Sequence, residues 1–364
     1  MNALLMDKDL EMTQKYITAR LGMDLPSTNV DHMKVFLQER LTMYGGECSA
    51  YLKRLDADYE EYCGFVDAVT INETYFFREE KHFNVLNDFI LPELSGKKSD
   101  ISVWSAACST GEEAVSAYLL LNSYFSGRKS FSVTASDINQ GVVDAFSKGI
   151  FTKNSFREDG KLFHKLVKNH GTDKGRTFEI YPEVISRINK YVLNLFNYDC
   201  GFFTGGFDII LLRNTLIYFN TEHKKRIIES IIRNLNLGGY VILSSTEMPL
   251  ISHSELKLVE VAGTYIFKKK SPEDKNQEEI VSQKLIKIVE NEEEKKEVSE
   301  NDNKFIEAID FRQILEYADN KINNRIFSLP DNPNYNAAMV LLKIIYSINN
   351  SELDKSVLLL EKLE

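Results

Sequence analysis

Three groups of polar residues, each beside an apolar run, hold the chemistry open to this 364-residue chain. The first lies in VTINETYFFR, where Asn72, Thr74 and Arg78 stand close together beside Tyr75, Phe76 and Phe77. Taken alone, the segment also reads as an aromatic plug with one solvated arginine. The second is Ala106-Ala107-Cys108-Ser109-Thr110-Gly111, followed by Glu112 and Glu113. A strand, a small-residue turn and a helix start let a ligand approach the backbone and meet unpaired N–H groups. Ala106, Ala107 and Gly111 are small enough for that approach, which suits a nucleoside-containing cofactor. The G-x-G-x-x-G pattern is absent and the acid Glu113 would repel a pyrophosphate, which disfavours NAD. The bland alternative is a short connection that binds nothing.

A second strand ends in Asp137, about 25 residues past the turn, where a carboxylate can accept from ribose hydroxyls. The lesser alternative is that Asp137 caps the helix beginning near Asn139. In the third group, FDIILL delivers Arg213 and Asn214, and then Tyr218 within LIYF, to the carboxyl end of a buried strand. Doubly wound sheets bind their ligands at that edge. The four cysteines (Cys48, Cys63, Cys108 and Cys200) and six histidines show no metal-ligand spacing, so reduced thiols and no metal are expected. His82 reads as helix surface, and Trp104 as packed beneath a helix, not stacked on a base.

The elements that must position these groups follow from periodicity. Residues 1–70 show apolar positions three and four apart, as in MKVFLQERLTMY and YLKRLDADYEEYCGFVDAV, and read as a helical N-terminal domain. Over 71–270 short β-rich runs (ISVWSAA, FSVTASD, YVLNLF, FDIILL, YVILSSTE) alternate with amphipathic helices. That alternation predicts an α/β fold with a doubly wound, mostly parallel sheet. KLVEVAG and TYIFKKK predict an antiparallel hairpin at the sheet edge. A small β insertion is expected near 173–193, with FEIYPEV and RINKYVL as two of its strands. The stretch 271–303 reads as an acidic linker, holding eleven acids against five lysines from 272 onward. Residues 304–364 resemble a tetratricopeptide-type helix pair, expected to act as a cap or docking element because one repeat does not bury its own face.

The formal net charge of −10 leaves no basic excess to meet a phosphate backbone, which argues against nucleic acid as a partner. No apolar run approaches the ~20 residues that span a bilayer, and the first residues carry acids where a signal peptide is apolar. No membrane insertion and a cytoplasmic location are expected.

The ordered set TINETYFFR, SAACSTGEE, SDIN, NLF, RNTLIYF and LGGYVILSSTE resembles the chemotaxis receptor methyltransferases of the CheR type. The likeness covers roughly residues 10–269. It implies a class I, Rossmann-like methyltransferase that uses S-adenosylmethionine, leaves S-adenosylhomocysteine, and esterifies glutamate side chains of a methyl-accepting chemoreceptor. By the same resemblance Asn72, Thr74 and Arg78 line the cofactor cleft, Arg78 close to the transferred methyl. Glu113 accepts from the methionine amino group, Asp137 holds the ribose, and Asn194 and Leu195 flank the adenine. Arg213 and Asn214 shape the floor, and Tyr218 faces the reaction centre. The chain departs from the family in its N-terminal segment, where a helix usually rich in Arg and Lys appears as HMKVFLQERL with only Lys34 and Arg40. Residues 1–70 carry seven bases against twelve acids, so docking to an acidic receptor is expected to be weaker than usual. Two rival readings are a non-catalytic scaffold that senses S-adenosylmethionine and binds a further partner through its tail, and a methyltransferase for another substrate.

Overall fold

Four helices come first in the chain: α1 (Asp7–Leu21), α2 (Val30–Met43), α3 (Cys48–Leu55) and α4 (Tyr59–Val69). Each turns an apolar stripe inward at helical spacing: Ile17 and Leu21 from α1, Met33, Leu37 and Leu41 from α2, Phe65 and Val69 from α4. The run YLKRLDADYEEYCGFVDAV divides between α3 and α4 because Asp58 adopts an extended backbone and caps α4, accepting from Glu61 N at 3.2 Å. The computed structural model describes residues 6–25, 29–198, 201–272 and 274. Met1–Ile251 and Leu258–Lys269 make one compact unit. Residues 304–364, where the sequence suggests a tetratricopeptide-type pair, and nearly all of the acidic stretch 271–303 lie outside the described residues.

Helix α5 (Glu80–Val85) runs through a π-turn at Leu86–Ile90 into α6 (Leu91–Lys97), which feeds β1 (Asp100–Ala106). Then come α7 (Glu112–Phe125), β2 (Ser130–Asp137), α8 (Gln140–Lys148), β3 (Ile150–Thr152), α9 (His164–Lys168), β4 (Gly171–Asp173) and β5 (Thr177–Ile180). The chain continues with α10 (Pro182–Ile185), β6 (Ile188–Val192), β7 (Phe207–Leu211), α11 (Thr221–Asn234), β8 (Leu235–Ile242), β9 (Leu256–Val261) and β10 (Thr264–Lys269). The main sheet has the order β6-β2-β1-β7-β8-β10-β9. Strands β6, β2, β1, β7 and β8 pair in parallel, and β10 runs antiparallel to β8. This is a doubly wound, mostly parallel sheet. The chain builds outward from β1 through β2 to β6, then returns to the other side of β1 with β7. The switch point therefore falls at the carboxyl ends of β1 and β7, where the order reverses.

Burial explains why these strands are continuous apolar runs. Every residue of β7 is buried, and α7 is buried from Glu112 to Leu121, because it packs between the sheet and the β insertion. The insertion differs from expectation. Its three-stranded sheet, ordered β3-β5-β4, lies within 150–180, whereas INKYV, placed within 173–193 by the sequence reading, is β6 of the main sheet, Ile188 opposite Val133. Alternation marks a half-buried strand but does not name its partner, and β6 buries one side chain, Ile188. Two strands also stop early. The sequence reading ran them through Phe196 and Glu247, but β6 ends at Val192 and β8 at Ile242. Both chain segments then turn toward the switch point.

Trp104 sits at the centre of β1 with no exposed surface. Its indole N–H donates to Ser136 Oγ at 3.0 Å, and its ring meets those of Phe203 and Phe207 at 4.9 and 5.3 Å. Replacing it leaves a large cavity and an unpaired hydroxyl. Trp104→Ala is expected to cost about 3–5 kcal/mol in urea unfolding. Circular dichroism is the suitable probe, since the substitution removes the chain's one tryptophan.

Candidate cofactor cleft and reaction centre

The turn after β1 opens the site. Ala107 and Ser109 both have left-handed backbones, φ 63° and 51°, which turns successive N–H groups inward. Asp137, at the tip of β2, accepts from Ser109 N at 2.8 Å and from Asn139 N at 3.0 Å. It does not cap α8: Asn139 is the cap, its Oδ1 accepting from Gly141 N at 2.8 Å. Burial pushes the Asp137 carboxyl above the usual range, against the pull of these backbone donors.

Across the switch point, the segment after β7 is held by a residue that the sequence reading did not single out. Glu247 is fully buried. Its carboxylate accepts from the backbone N–H of Asn214, Thr215 and Leu216 at 2.7, 2.6 and 2.6 Å, and from Ser244 N at 3.2 Å. These bonds fix Asn214 in a left-handed conformation, φ 55°, and carry the short 3₁₀ turn Leu216–Tyr218 to the cleft. The signal was present in the motif LGGYVILSSTE, whose final acid follows a buried strand.

A cleft runs over both strand ends. Asn72, Thr74, Arg78, Glu113, Asp137, Asn194, Leu195, Arg213, Asn214 and Tyr218 all line it. Ala106 and Gly111 do not. Ala106 is packed in the core, and Gly111 has φ 95° with its missing Cβ 2.2 Å from the Phe146 ring, so it is small for packing, not for a ligand. Lining residues that the sequence reading missed include Leu21 and Met23 from the N-terminal helical segment. Asp24 N donates to Tyr218 O at 2.7 Å and Asn194 Nδ2 to Arg20 O at 3.1 Å, which brings that segment against the cleft.

Arg213 is the charged centre of the wall, 5% exposed. Nη1 donates to Glu113 Oε2 at 3.0 Å, and Nη2 reaches Glu79 Oε2 at 3.2 Å and the carbonyl of Arg78. Glu113 also accepts from Ser105 Oγ at 2.6 Å. Burial raises the Glu113 carboxyl, with Arg213 opposing the rise. His82 is buried, not surface as the sequence suggested, because α5 turns it toward this ion cluster. Burial and the Arg213 charge hold its imidazole down at about 3, hence neutral. Arg78 is half-buried, donating to Glu73 O at 2.8 Å and lying over the Tyr75 ring. It lies near enough to Tyr218 for its charge to bear on the phenol, which burial pushes up.

The lining suits an adenosyl group bearing a positive charge. Asp137 accepts from backbone N–H groups and, as a carboxylate with roughly four acceptor positions, retains capacity for a hydroxyl donor. Ile138, Leu193 and Leu195 supply an apolar wall for a base. The buried Nε of Arg213 has no hydrogen-bond partner among the described residues.

Comparison with known proteins agrees with this site. The family model described as "CheR methyltransferase, SAM binding domain" matches residues 72–266. Chemotaxis protein methyltransferase 1 of Vibrio cholerae serotype O1 is 33% identical over 186 residues, covering 50% of this chain and 66% of that protein. A chemotaxis protein methyltransferase of Listeria innocua serovar 6a is 26% identical over 250 residues, covering 67% of this chain and 92% of the relative. A probable biofilm formation methyltransferase, WspC, of Pseudomonas aeruginosa is 26% identical over 264 residues, 71% of this chain and 61% of the relative. The chain thus spans about two thirds of the length of the Vibrio relatives it matches, 66% in each case. With the matched segment covering more than half of its length and both strand ends of the cleft inside it, the chain belongs to the CheR methyltransferase family and carries that family's S-adenosylmethionine-binding domain.

Proposed function

We propose that this protein transfers a methyl group from S-adenosylmethionine to glutamate side chains of a methyl-accepting chemoreceptor or related signalling protein, forming glutamyl methyl esters. The observation that carries the reading is the pairing of Arg78 and Tyr218 in one cleft with the acids Asp137 and Glu113. When bound, S-adenosylmethionine supplies a methyl activated by its positive sulfur. Asp137 would hold the ribose hydroxyls, Leu195 and Asn194 would flank the base, and Glu113 would receive the ammonium beside its existing bonds to Ser105 and Arg213. The substrate glutamate needs no base from the chain: its ordinary pKa of ~4.3 leaves it ionised at neutral pH.

What the residues supply is alignment, and well-oriented reactants are worth roughly 7–11 kcal/mol of barrier. Arg78 presents a planar donor to one carboxylate edge, and the Tyr218 phenol, kept protonated by burial, donates to the other. Partner choice rests on charge. In α2, Arg40 Nε lies 2.8 Å from Glu61 and Lys34 Nζ lies 3.6 Å from Asp31, so both bases already face acids of this chain. This supports docking to a less acidic receptor face than a strongly basic helix would select.

Three outcomes are expected. Incubation with methyl-labelled S-adenosylmethionine and receptor membranes, then mild alkali, should release volatile methanol, as a carboxyl ester does; alkali-stable label would assign an amine substrate instead. Arg78→Ala should still bind S-adenosylhomocysteine in a calorimeter while turnover falls on the order of 100-fold; unchanged turnover would remove Arg78 from the reaction centre. For pH, the sign follows from burial: Asp137 and Glu113 titrate above ordinary carboxylates, and their protonated forms lose acceptor capacity. S-adenosylhomocysteine affinity should therefore decline on acidification before the pH of an exposed aspartate, ~3.9, is reached. Affinity flat down to that pH would contradict it.

A further inference from the structure

We infer that Asp159, in the β insertion and outside the cleft wall, is a positioning residue for methyl transfer that acts by clamping the backbone of Arg78. The inference rests on the placement of Arg78 at the reaction centre given above. Arg78 sits between two residues with left-handed backbones, Phe77 at φ 55° and Glu79 at φ 53°. Neither is glycine, and each such conformation costs on the order of 1–3 kcal/mol unless its surroundings hold it. Phe77 N is held by Ser116 Oγ at 2.9 Å. On the other side the holding group is Asp159. Its Oδ2 accepts from Glu79 N at 2.8 Å and from Tyr75 OH at 2.7 Å, and its Oδ1 accepts from Glu80 N at 3.2 Å.

Neighbours of Asp159 press the same two segments together. Gly160 N donates to Glu80 Oε2 at 3.1 Å, and a Cβ at Gly160 would stand 2.5 Å from Phe76 O, so the insertion touches this loop backbone to backbone. Arg157 pairs with Glu73 at 2.7 Å and lies over the Tyr75 ring, 4.6 Å from its centroid. Asp159, Gly160 and Arg157 together make seven connections to residues 73–80. Asp159 touches neither the cleft nor Arg78's guanidinium; it fixes the peptide from which that guanidinium extends.

The test uses the full chain as wild type, Asp159→Ala, Asp159→Asn and each change combined with Arg78→Ala. Hydrogen exchange without cofactor should show the Glu79 and Glu80 amides exposed by D159A, and partly so by D159N, whose amide oxygen still accepts on one side. Calorimetry should give an S-adenosylhomocysteine dissociation constant within about two-fold of wild type. Single-turnover transfer to receptor glutamates should fall on the order of 100-fold, with the KM for receptor little changed. In the Arg78→Ala background the same substitution should cost nothing further. Unchanged exchange at those amides would overturn the clamp, and so would an undiminished loss in the Arg78→Ala background, which would mark a role independent of the arginine. Should D159A fail to fold, D159N carries the same comparisons. Protected amides that D159A exposes, in a wild type that methylates no glutamate, would overturn the assigned reaction instead, because exchange is read without it.

Discussion

A guanidinium withdrawn from water needs acceptors, and the cleft wall is organised around supplying them to both Nη groups of Arg213. Its partners come from two separate stretches of chain, Glu113 from the first turn of α7 and Glu79 with the Arg78 carbonyl from the loop before α5, while Arg213 itself follows β7. Breaking a buried network of this kind by removing one partner costs roughly 3–5 kcal/mol. The ion thus ties the turn after β1, the Arg78 loop and the switch point into one unit. It also leaves acid in excess, since Glu113 and Glu79 face a single guanidinium and Asp137 stands nearby without a basic partner of its own. Burial has already raised Glu113 and Asp137, so a cationic ligand would favour their ionised forms, and charge on the ligand and charge on the wall reinforce each other.

One device recurs around that centre. Three turns carry functional groups, each contains a non-glycine residue with positive φ, and each is held by a carboxylate that accepts backbone N–H groups. Ser109 at φ 51° is held by Asp137, Asn214 at φ 55° by Glu247, and Glu79 at φ 53° by Asp159. A left-handed residue following a right-handed one aims consecutive N–H groups at one point, which is a natural seat for an anion. The energies are of matching size: about 1–3 kcal/mol of backbone strain against about 1.5–3 kcal/mol for each hydrogen bond to a charged group. Strain and anchor are thus two halves of one arrangement, and the anchors differ by location. Asp137 lies in the cleft, Glu247 is sealed beneath it, and Asp159 reaches in from the insertion.

How far the sequence discloses this depends on whether a signal is local. Strands β1, β2 and β7 were legible because burial on both faces leaves nearly unbroken apolar runs, and the residues at their tips follow by position alone. Asp137, Arg213 and Asn214 were found in that way. The partner of Ile188–Val192 was not, since a strand with one buried side chain carries no mark of its neighbour. His82 was misplaced for a related reason: a lone histidine in a short charged helix gives no hint that the helix faces an ion cluster. Asp159 and Glu247 are the clearest case. Their contacts reach backbone amides up to 80 and 33 residues away, brought near only by folding, and a backbone amide has no sequence signature. Gly111 shows the converse, since its smallness was legible but its cause, the Phe146 ring, was not.

The two arginines of the site divide the labour that positioning requires. Arg213 has its Nη groups committed, is buried, and serves as framework. Arg78 is half-buried, and of its five N–H donors one is engaged among the described residues, with the Glu73 carbonyl at 2.8 Å, while its plane lies over Tyr75. That contrast supports the proposed carboxylate nucleophile. An oxygen bound as tightly as Glu113 is bound by Arg213 would be a poor attacking group, whereas a guanidinium with free donors and a fixed backbone, with Tyr218 on the other edge, can orient the carboxylate and still leave a lone pair free to attack. Rigidity therefore belongs in the peptide of Arg78 and latitude in its side chain, which is the distribution that left-handed neighbours, Ser116, Asp159 and the bond from Arg213 together produce.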